Sequence, residues 1–566
     1  MEKRVIVFLV LSLAIIFGYE YLLKELGLLT PPPPVPESTA PVAPEPPAPS
    51  AVAPPPEGSQ VPARPISSAR SAPPETHSPE PDTRPSVSRT VAVDTNLYHA
   101  EFTTRGAALT SWELKRYRRS SDGQAAVQLV RQGGKFPDPL AVSTDDAALA
   151  KELGEGIYSV EQDFATLDQT HPTGHVTFSY ENRATGVRLA KELTFHAGSY
   201  VVDVALRTTG LDGSLHVTLG TNFGIVEWGD GFIGHIGAVS LVDGQVEKES
   251  PVPDSPLERQ GSVRWAALED KYFLSVLIPK QASGVLVKKE EDKLVSTAMH
   301  MPVIASGASL EFRLYAGPKE YDTLRGLQIG LEDTIDFGWF IFGSWDVVRA
   351  VAKPIFHLLR FINEYTHNYG VTIILLTVGI KLLFVPLQYK SYKSMKQMSV
   401  IQPKVAALQE KFKDDRDRLN KELIKLYRDH KVNPVGGCLP MVLQMPVFIA
   451  LFNILYMTID LRQAPLALWI TDLSVQDPYY VLPLIMGVTM LIQQKITPTT
   501  MDPTQAKIML LLPAFMTFLF INFPAGLVLY WLTQNTLTIA QQLVTDRFIF
   551  RNRSLVPAVE EEAAKK

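Results

Sequence analysis

The spacing of apolar residues changes several times along this chain, and each change predicts a different kind of element. Across residues 91–335 apolar and polar positions alternate. Val176, Phe178 and Tyr180 fall on one face, as do Tyr200, Val202, Val204 and Leu206, and again Leu310, Phe312 and Leu314. Alternation with Gly and Asp at the breaks predicts an antiparallel β-sandwich. A helical patch at 145–153 is secondary to it. Residues 338–366 follow a helical period instead. Arg349, Lys353, His357, Arg360 and Glu364 form one polar stripe, while Val348, Val351, Ile355, Leu358, Leu359 and Ile362 fill the remaining surface. Such a helix is expected to lie in a membrane interface with its basic face toward water or headgroups. An amphipathic helix packed on the sandwich would show the same pattern.

Beyond this point the chain turns to long apolar runs. Residues 370–389, 435–459, 479–494, 508–522 and 526–545 read as five membrane-spanning helices. The last two are separated at Asn522-Phe523-Pro524-Ala525-Gly526, because the whole stretch is too long for one crossing and carries a strong turn signal. A sixth apolar run occupies 5–23, behind Lys3 and Arg4. No small-residue cleavage site follows it, so it reads as an uncleaved anchor with residues 1–4 in the cytoplasm. Residues 24–90, with the tract Pro31-Pro32-Pro33-Pro34, hold too little apolar surface to fold and read as an extended linker. The expected fold is thus an α-helical polytopic membrane bundle of six spans plus an extracytoplasmic β-sandwich.

Charge orients these spans. Lys390, Lys393, Lys396, Lys404, Lys411, Lys413, Arg416, Arg418, Lys421, Lys425, Arg428 and Lys431 all fall in the connection 390–432, which has the pattern of a helical hairpin. The loop 460–478 carries only Arg462 against Asp460, Asp472 and Asp477. The bias places 390–432, the loop 495–507 and the tail 546–566 in the cytoplasm with both termini, and the sandwich outside. Lys404, Lys411, Lys413, Arg416 and Arg418 near the hairpin tip could receive a nascent chain, ribosomal RNA or anionic lipid. A solvated helix face explains the same charges.

Composition excludes several classes. The 566 residues carry a net charge of −5 without a basic run interleaved with aromatics, so DNA binding has no support. The single cysteine, Cys438, rules out an intramolecular disulfide and a Cys-based zinc cluster, and no cofactor is expected. His171, His175, His196 and His235 lack metal-ligand spacing. Glu227, Trp228 and Asp230 could line a sugar cleft in the sandwich, but such residues are more often turn and rim positions.

Lys381 is the most informative position. It lies inside the apolar run 370–389, where a cation costs about 2.5–3.5 kcal/mol even on the lenient insertion scale. A water-filled cavity open to the cytoplasm would hold it; snorkelling along its own stem is the other solution. Thr377 lies one turn away on the same face. Gln444, Gln493, Gln494, Asn535 and the neighbouring Thr533, Gln534, Thr538 and Gln542 are polar groups in other spans, enough together to hydrate one side of a small bundle. No Asp or Glu falls within the late spans, so an ion-coupled transporter site is not indicated. Two of these spans have short apolar runs, Tyr479–Ile492 and Ile508–Ile521, at ~14 residues or roughly 21 Å against ~30 Å of hydrocarbon, which would thin the bilayer beside the cavity.

Specific motifs carry a resemblance. These are Val432-Asn433-Pro434-Val435-Gly436-Gly437-Cys438-Leu439-Pro440, Gln444-Met445-Pro446, Leu461-Arg462-Gln463-Ala464-Pro465, Gln476-Asp477-Pro478-Tyr479-Tyr480 and Phe523-Pro524-Ala525-Gly526-Leu527-Val528-Leu529-Tyr530-Trp531. From about 370 to 547 the chain closely resembles the YidC membrane insertase family, and the large sandwich is similar to that of its Gram-negative form, which would make it periplasmic. The resemblance implies five spans forming an insertase core, a hydrophilic groove centred on Lys381, and client contact at Thr377 and Trp531, with Tyr530 beside it. Many relatives have Arg at the position of Lys381; Lys keeps the charge without the planar donor fork. The resemblance further implies nascent membrane proteins as clients, work with the Sec translocon, the signal-recognition pathway and the ribosome, and no covalent catalysis. Two other readings are a secondary transporter and a periplasmic carbohydrate-binding protein with a membrane anchor.

Overall fold

The structure is a computed structural model. It describes residues 87–550 except 120–124, 132, 134, 212, 227–233, 250–251, 304–308, 341–342, 413–414, 431–438 and 498–509. The expected anchor at 5–23, most of the linker, Glu227, Trp228, Asp230, Lys413, Cys438, most of the loop 495–507 and most of the tail 546–566 lie outside the described residues.

The alternating segments form sheets. A nine-stranded sheet runs in the order Gln245–Glu249, Gly237–Val242, Val263–Glu269, Phe273–Pro279, Ser309–Pro318, Val201–Thr209, Val187–His196, Thr173–Asn182 and Ser159–Gln162. Its centre shows why the alternation works. Val202, Val204 and Leu206 stand opposite Leu314, Phe312 and Leu310, and all six are buried. A five-stranded sheet containing Gly213–Thr221 and Leu294–Val303 covers one part of this face. A second five-stranded sheet, with Tyr98–Thr103 near its centre, covers another, where Phe102 meets Phe178 and Phe195 at ring distances of 5.9 and 6.0 Å. Among the described residues the strand pairing is antiparallel except at Thr90–Thr95, whose end runs parallel to Thr166–Leu167. Helix α1 (Ala147–Glu155) is capped by Asp146, and α2 (Tyr321–Gly326) leaves the last long strand.

One buried position breaks the polar pattern. Lys191 stands opposite Leu206 on the inward face, with 1% of its surface exposed. Its ammonium donates to the carbonyls of Leu140, at 2.6 Å, and Ala107, at 2.8 Å. Both acceptors belong to non-glycine residues in the left-handed region, with φ of 62° and 48°. Lys191 therefore pins two turns whose backbone is strained without support.

Helix α3 (Asp346–Thr366) begins later than the expected 338; residues before it form a small ribbon pairing Trp339–Phe340 with Gly343–Ser344. Its basic stripe does not face water or headgroups alone. Arg349 reaches Asp336 at 3.8 Å, Lys353 reaches Asp333 at 3.6 Å, and Arg360 meets Asp322 at 2.5 Å. These acids lie in the connection between the last long strand and the helix, outside the helix itself, so its own periodicity could not reveal them. Phe356 fills the space between Phe337 and Tyr321 at 4.9 and 5.3 Å. Val347, Leu358, Phe361 and Tyr365 form an exposed apolar face.

The expected span 370–389 and the first arm of the hairpin are one helix, α4 (Tyr369–Lys411), which contains Pro386 and Pro403. At 1.5 Å per residue its 43 residues extend about 64 Å, twice the hydrocarbon thickness of roughly 30 Å. Among the described residues α4 is the helix long and apolar enough to cross a membrane. The second arm is α5 (Arg416–Asp429). Then follow α6 (Leu439–Met457), α7 (Val481–Ile496), the nine-residue α8 (Leu512–Phe520) and α9 (Ala525–Val544). Helix α9 packs on α7 and α4, and α8 packs on α7. A Cβ on Gly487 would sit 2.1 Å from the Thr517 hydroxyl, which shows how closely α7 and α8 approach.

The sandwich and the helices meet at the loop after α6. Arg462 donates to the Arg118 carbonyl at 2.7 Å and lies over the rings of Tyr272 and Phe273. Asn453 donates to the Phe337 carbonyl at 2.8 Å. Asp477, fully buried, accepts from the Trp469 indole and the amides of Tyr479 and Leu482, fixing the start of α7.

Burial of Lys191 gives the sandwich a pH signature. Desolvation lowers its pKa from 10.5 to about 7. Between those values the unfolded chain binds the proton more tightly than the folded one, so stability rises with pH from about 7 upward and this contribution is flat below. Thermal unfolding of the purified protein from pH 7 to pH 9.5 should show that rise, and Lys191→Met should lack it. Parallel slopes for the two proteins would exclude a depressed Lys191.

Candidate functional site: a glutamine-lined cavity at Lys381

Lys381 lies on the apolar part of α4, 7% exposed, and its ammonium donates to the Thr538 hydroxyl on α9 at 2.8 Å. That hydroxyl is itself satisfied as a donor by the Gln534 carbonyl at 2.7 Å, leaving its lone pairs for the lysine. The two helices thus share one polar seam. The seam opens into a cavity of about 230 Å³, lined from α4 by Lys381, Gln388, Tyr389, Ser391, Tyr392 and Met395. Gln444 contributes from α6 and Gln493 from α7, while Gln534, Thr538, Gln541 and Gln542 project from α9. Among the described residues lining this cavity there is no carboxylate. Neutral amides offer donors and acceptors to water and to an extended peptide without neutralising the one ammonium.

A second, apolar groove of about 580 Å³ also reaches Lys381, between Val378, Leu382 and Val385 of α4 and Leu537, Ala540 and Val544 of α9. Lys381, Tyr389, Gln541 and Thr545 border both spaces. The arrangement sets a polar, hydrogen-bonding compartment beside an apolar one, with a cation bordering both.

Of the residues singled out from sequence, Lys381, Gln444 and Gln493 line the cavity, with Gln534, Thr538 and Gln542. Thr377 does not. It is buried, and its hydroxyl donates to the Ile373 carbonyl of its own helix at 2.6 Å. Asn535 is buried facing Thr489, with 3.4 Å between the amide and the hydroxyl. Gln494 is half-buried outside the cavity lining. Trp531 is wedged between Phe448 and Phe520 at ring distances of 5.0 and 4.7 Å, and Tyr530 is buried against Phe448. These aromatics shape the bundle beside the cavity and do not line it. In the hairpin, Lys404 meets His430 at 3.0 Å across the two arms, and Lys411 and Arg418 flank the Phe412 ring. For Arg416 the structure describes the backbone alone.

Sequence reading missed Gln388, Tyr389, Ser391, Tyr392, Gln541 and Thr545. Ser391 and Tyr392 lie beyond the expected span end at 389, whereas Gln388, Tyr389, Gln541 and Thr545 lie inside expected spans, where helical periodicity with Lys381 and Thr538 was their signal. Lys381, Gln388, Tyr392 and Met395 follow one face of a continuous helix, as do Gln534, Thr538, Gln541, Gln542 and Thr545.

The family model described as the 60Kd inner membrane protein matches residues 361–552, and that of the YidC periplasmic domain matches 90–358. The chain belongs to the YidC family. The membrane protein insertase YidC of Geotalea daltonii is 40% identical, over 96% of this chain and 98% of that protein. The protein of the same name from Syntrophus aciditrophicus is 39% identical, over 96% and 99%. A crystal structure titled as an active YidC insertase with its first transmembrane domain resolved is 18% identical, covers 80% of this chain and 91% of its own, and superposes with a TM-score of 0.35.

The cavity's wetness can be measured directly. With Cys438 replaced by Ser, single cysteines at 388, 493 or 541 should react with a membrane-impermeant maleimide in detergent-free vesicles opened to the hairpin side. Cysteines at 377 or 535 should remain unreactive. Equal labelling at all five positions would deny a distinct polar compartment.

Proposed function

We propose that this chain inserts other proteins' helices into the inner membrane and helps them fold, without covalent catalysis. The observation that carries this reading is the setting of Lys381, where a buried ammonium borders both a glutamine-lined cavity and an apolar groove on the same pair of helices. A polar tail or loop of a nascent membrane protein enters the cavity, where its backbone and side chains find hydrogen-bond partners in place of bulk water. Lys381 attracts acidic residues of that tail. The apolar segment of the client meanwhile lies along Leu382, Val385, Leu537 and Val544 and partitions into lipid, which supplies the driving force. Short helices beside it, α7 of 16 residues and α8 of nine, favour a thinned bilayer and shorten the polar crossing.

In this reading six spans cross the membrane, five of them forming the core, with both termini in the cytoplasm and the sandwich in the periplasm. Helix α3 lies at the periplasmic interface with Val347, Leu358, Phe361 and Tyr365 toward lipid. The hairpin of α4 and α5 meets the client first, with Lys404, Lys411 and Arg418 among its cations and Lys413 and Arg416 adding to the charge of its sequence. The Sec translocon, the ribosome and the signal-recognition pathway are the partners that would deliver some clients, while others enter from the cytoplasm unaided.

Protease protection of a short two-span client tests the mechanism, using liposomes that contain wild type, Lys381→Ala or Lys381→Arg. Wild type and Arg should protect the client, and Ala should lose most of that protection. Full protection by Ala would retain insertion and remove the charge from it. No protection by folded wild type would favour a transporter or an accessory factor.

A further inference from the structure

Helix α9 ends in a π-helical turn, Thr545–Phe550, a wider winding that often marks functional positions. It aims Asp546 back at α4. One carboxylate oxygen accepts from the Lys396 ammonium at 2.7 Å, and the other accepts from the Tyr392 hydroxyl at 2.7 Å. Lys396 and Tyr392 are four residues apart and so present one face of α4 to a single anion. Tyr392 also lines the glutamine cavity, and Thr545, next to Asp546, borders both the cavity and the apolar groove. The contact therefore ties together, beside the hairpin end of the cavity, the two helices that bound the groove.

We propose that Asp546 is an internal stand-in for a client's acidic residue, a self-inhibitory latch that an incoming carboxylate displaces. The proposal rests on the insertase reading. Chemistry makes the exchange like for like: a client Asp or Glu offers Lys396 and Tyr392 the same two acceptor oxygens that Asp546 gives up. Lys396 lies 15 residues beyond Lys381 on one continuous helix, roughly 22 Å along its axis, so a client arriving from the hairpin meets it first. Displacement frees the end of α9 from α4, opens the rim, and leaves the client's carboxylate on the path to Lys381. Weakness suits the role. Both partners are about a third exposed, at 35% each, and an ion pair so placed shifts an equilibrium by only about two- to fivefold. A client with a carboxylate opens the latch itself; one with a neutral tail must wait for it to open.

Initial insertion rates in liposomes carrying the full chain test this, with two clients that differ by one Asp or Asn in the translocated tail. The proteins are wild type, Asp546→Asn, Lys396→Met and the charge swap Lys396→Asp with Asp546→Lys. Each single variant should speed the Asn-tailed client about two- to fivefold, and the swap should return it toward the wild-type rate. Lys396→Met should also shrink the advantage of the Asp-tailed client. Unchanged or slower insertion of the Asn-tailed client in the single variants overturns the latch, as does an undiminished Asp advantage in Lys396→Met. Failure of wild type to insert either client would overturn the insertase reading itself.

Discussion

A lysine ammonium among apolar helices must keep hydrogen-bond partners and water or give up its charge, and the helical half of this protein is organised around meeting that demand at Lys381. The hydroxyl of Thr538 is one partner, and six glutamine amides surround the space beyond it. The chemistry of these groups matters as much as their number. A carboxylate at the same depth would pair with Lys381 and quench it, whereas amides hold water and leave the charge available. The polar face of α9 and the amides on α6 and α7 are then explained together, as the lining that one buried cation requires.

The sandwich was legible because its strands obey a local rule. Val202, Val204 and Leu206 alternate with polar neighbours, and their partners across the sheet do the same. Lys191 was not legible, since a lysine at an inward position looks like an outward one until the turns at Ala107 and Leu140 close over it. A similar limit applied to α3, whose basic residues find Asp322, Asp333 and Asp336 only after the sheet has folded. At the cavity, Lys381, Gln444 and Gln493 stood out as polar groups in apolar runs. Gln388 did not, although it lay inside the expected span just past Pro386, and Tyr392 fell beyond that span's end at 389. The structure carries the helix through that proline; buried neighbours can satisfy the backbone groups it frees. Thr377, placed at the site by helix face and family resemblance, bonds its own helix, and Asn535, picked as a polar group in a span, faces Thr489 on α7; neither lines the cavity.

The two halves of the chain are joined by chemistry from both sides. Arg462 reaches from the loop after α6 onto the sandwich, α3 is held to acidic residues at its base, and Asn453 binds the Phe337 carbonyl. Nearby, Asp477 organises the entry to α7 with both of its carboxylate oxygens. Several motifs that carry the family resemblance therefore have structural work in this chain, at the seam between sheet and helix, separate from the cavity itself.

The continuity of α4 has a mechanical consequence. Lys381 and Lys411 are 30 residues apart on one rod, so a tilt of about 10° where the helix leaves the bundle sweeps the far end through roughly 8 Å, given a length near 45 Å. Pro386 and Pro403 sit on that rod where bending is cheapest. A bend at Pro386, just beyond the buried cation, lets the hairpin swing as a long arm while the wall that carries Lys381 stays packed on α9.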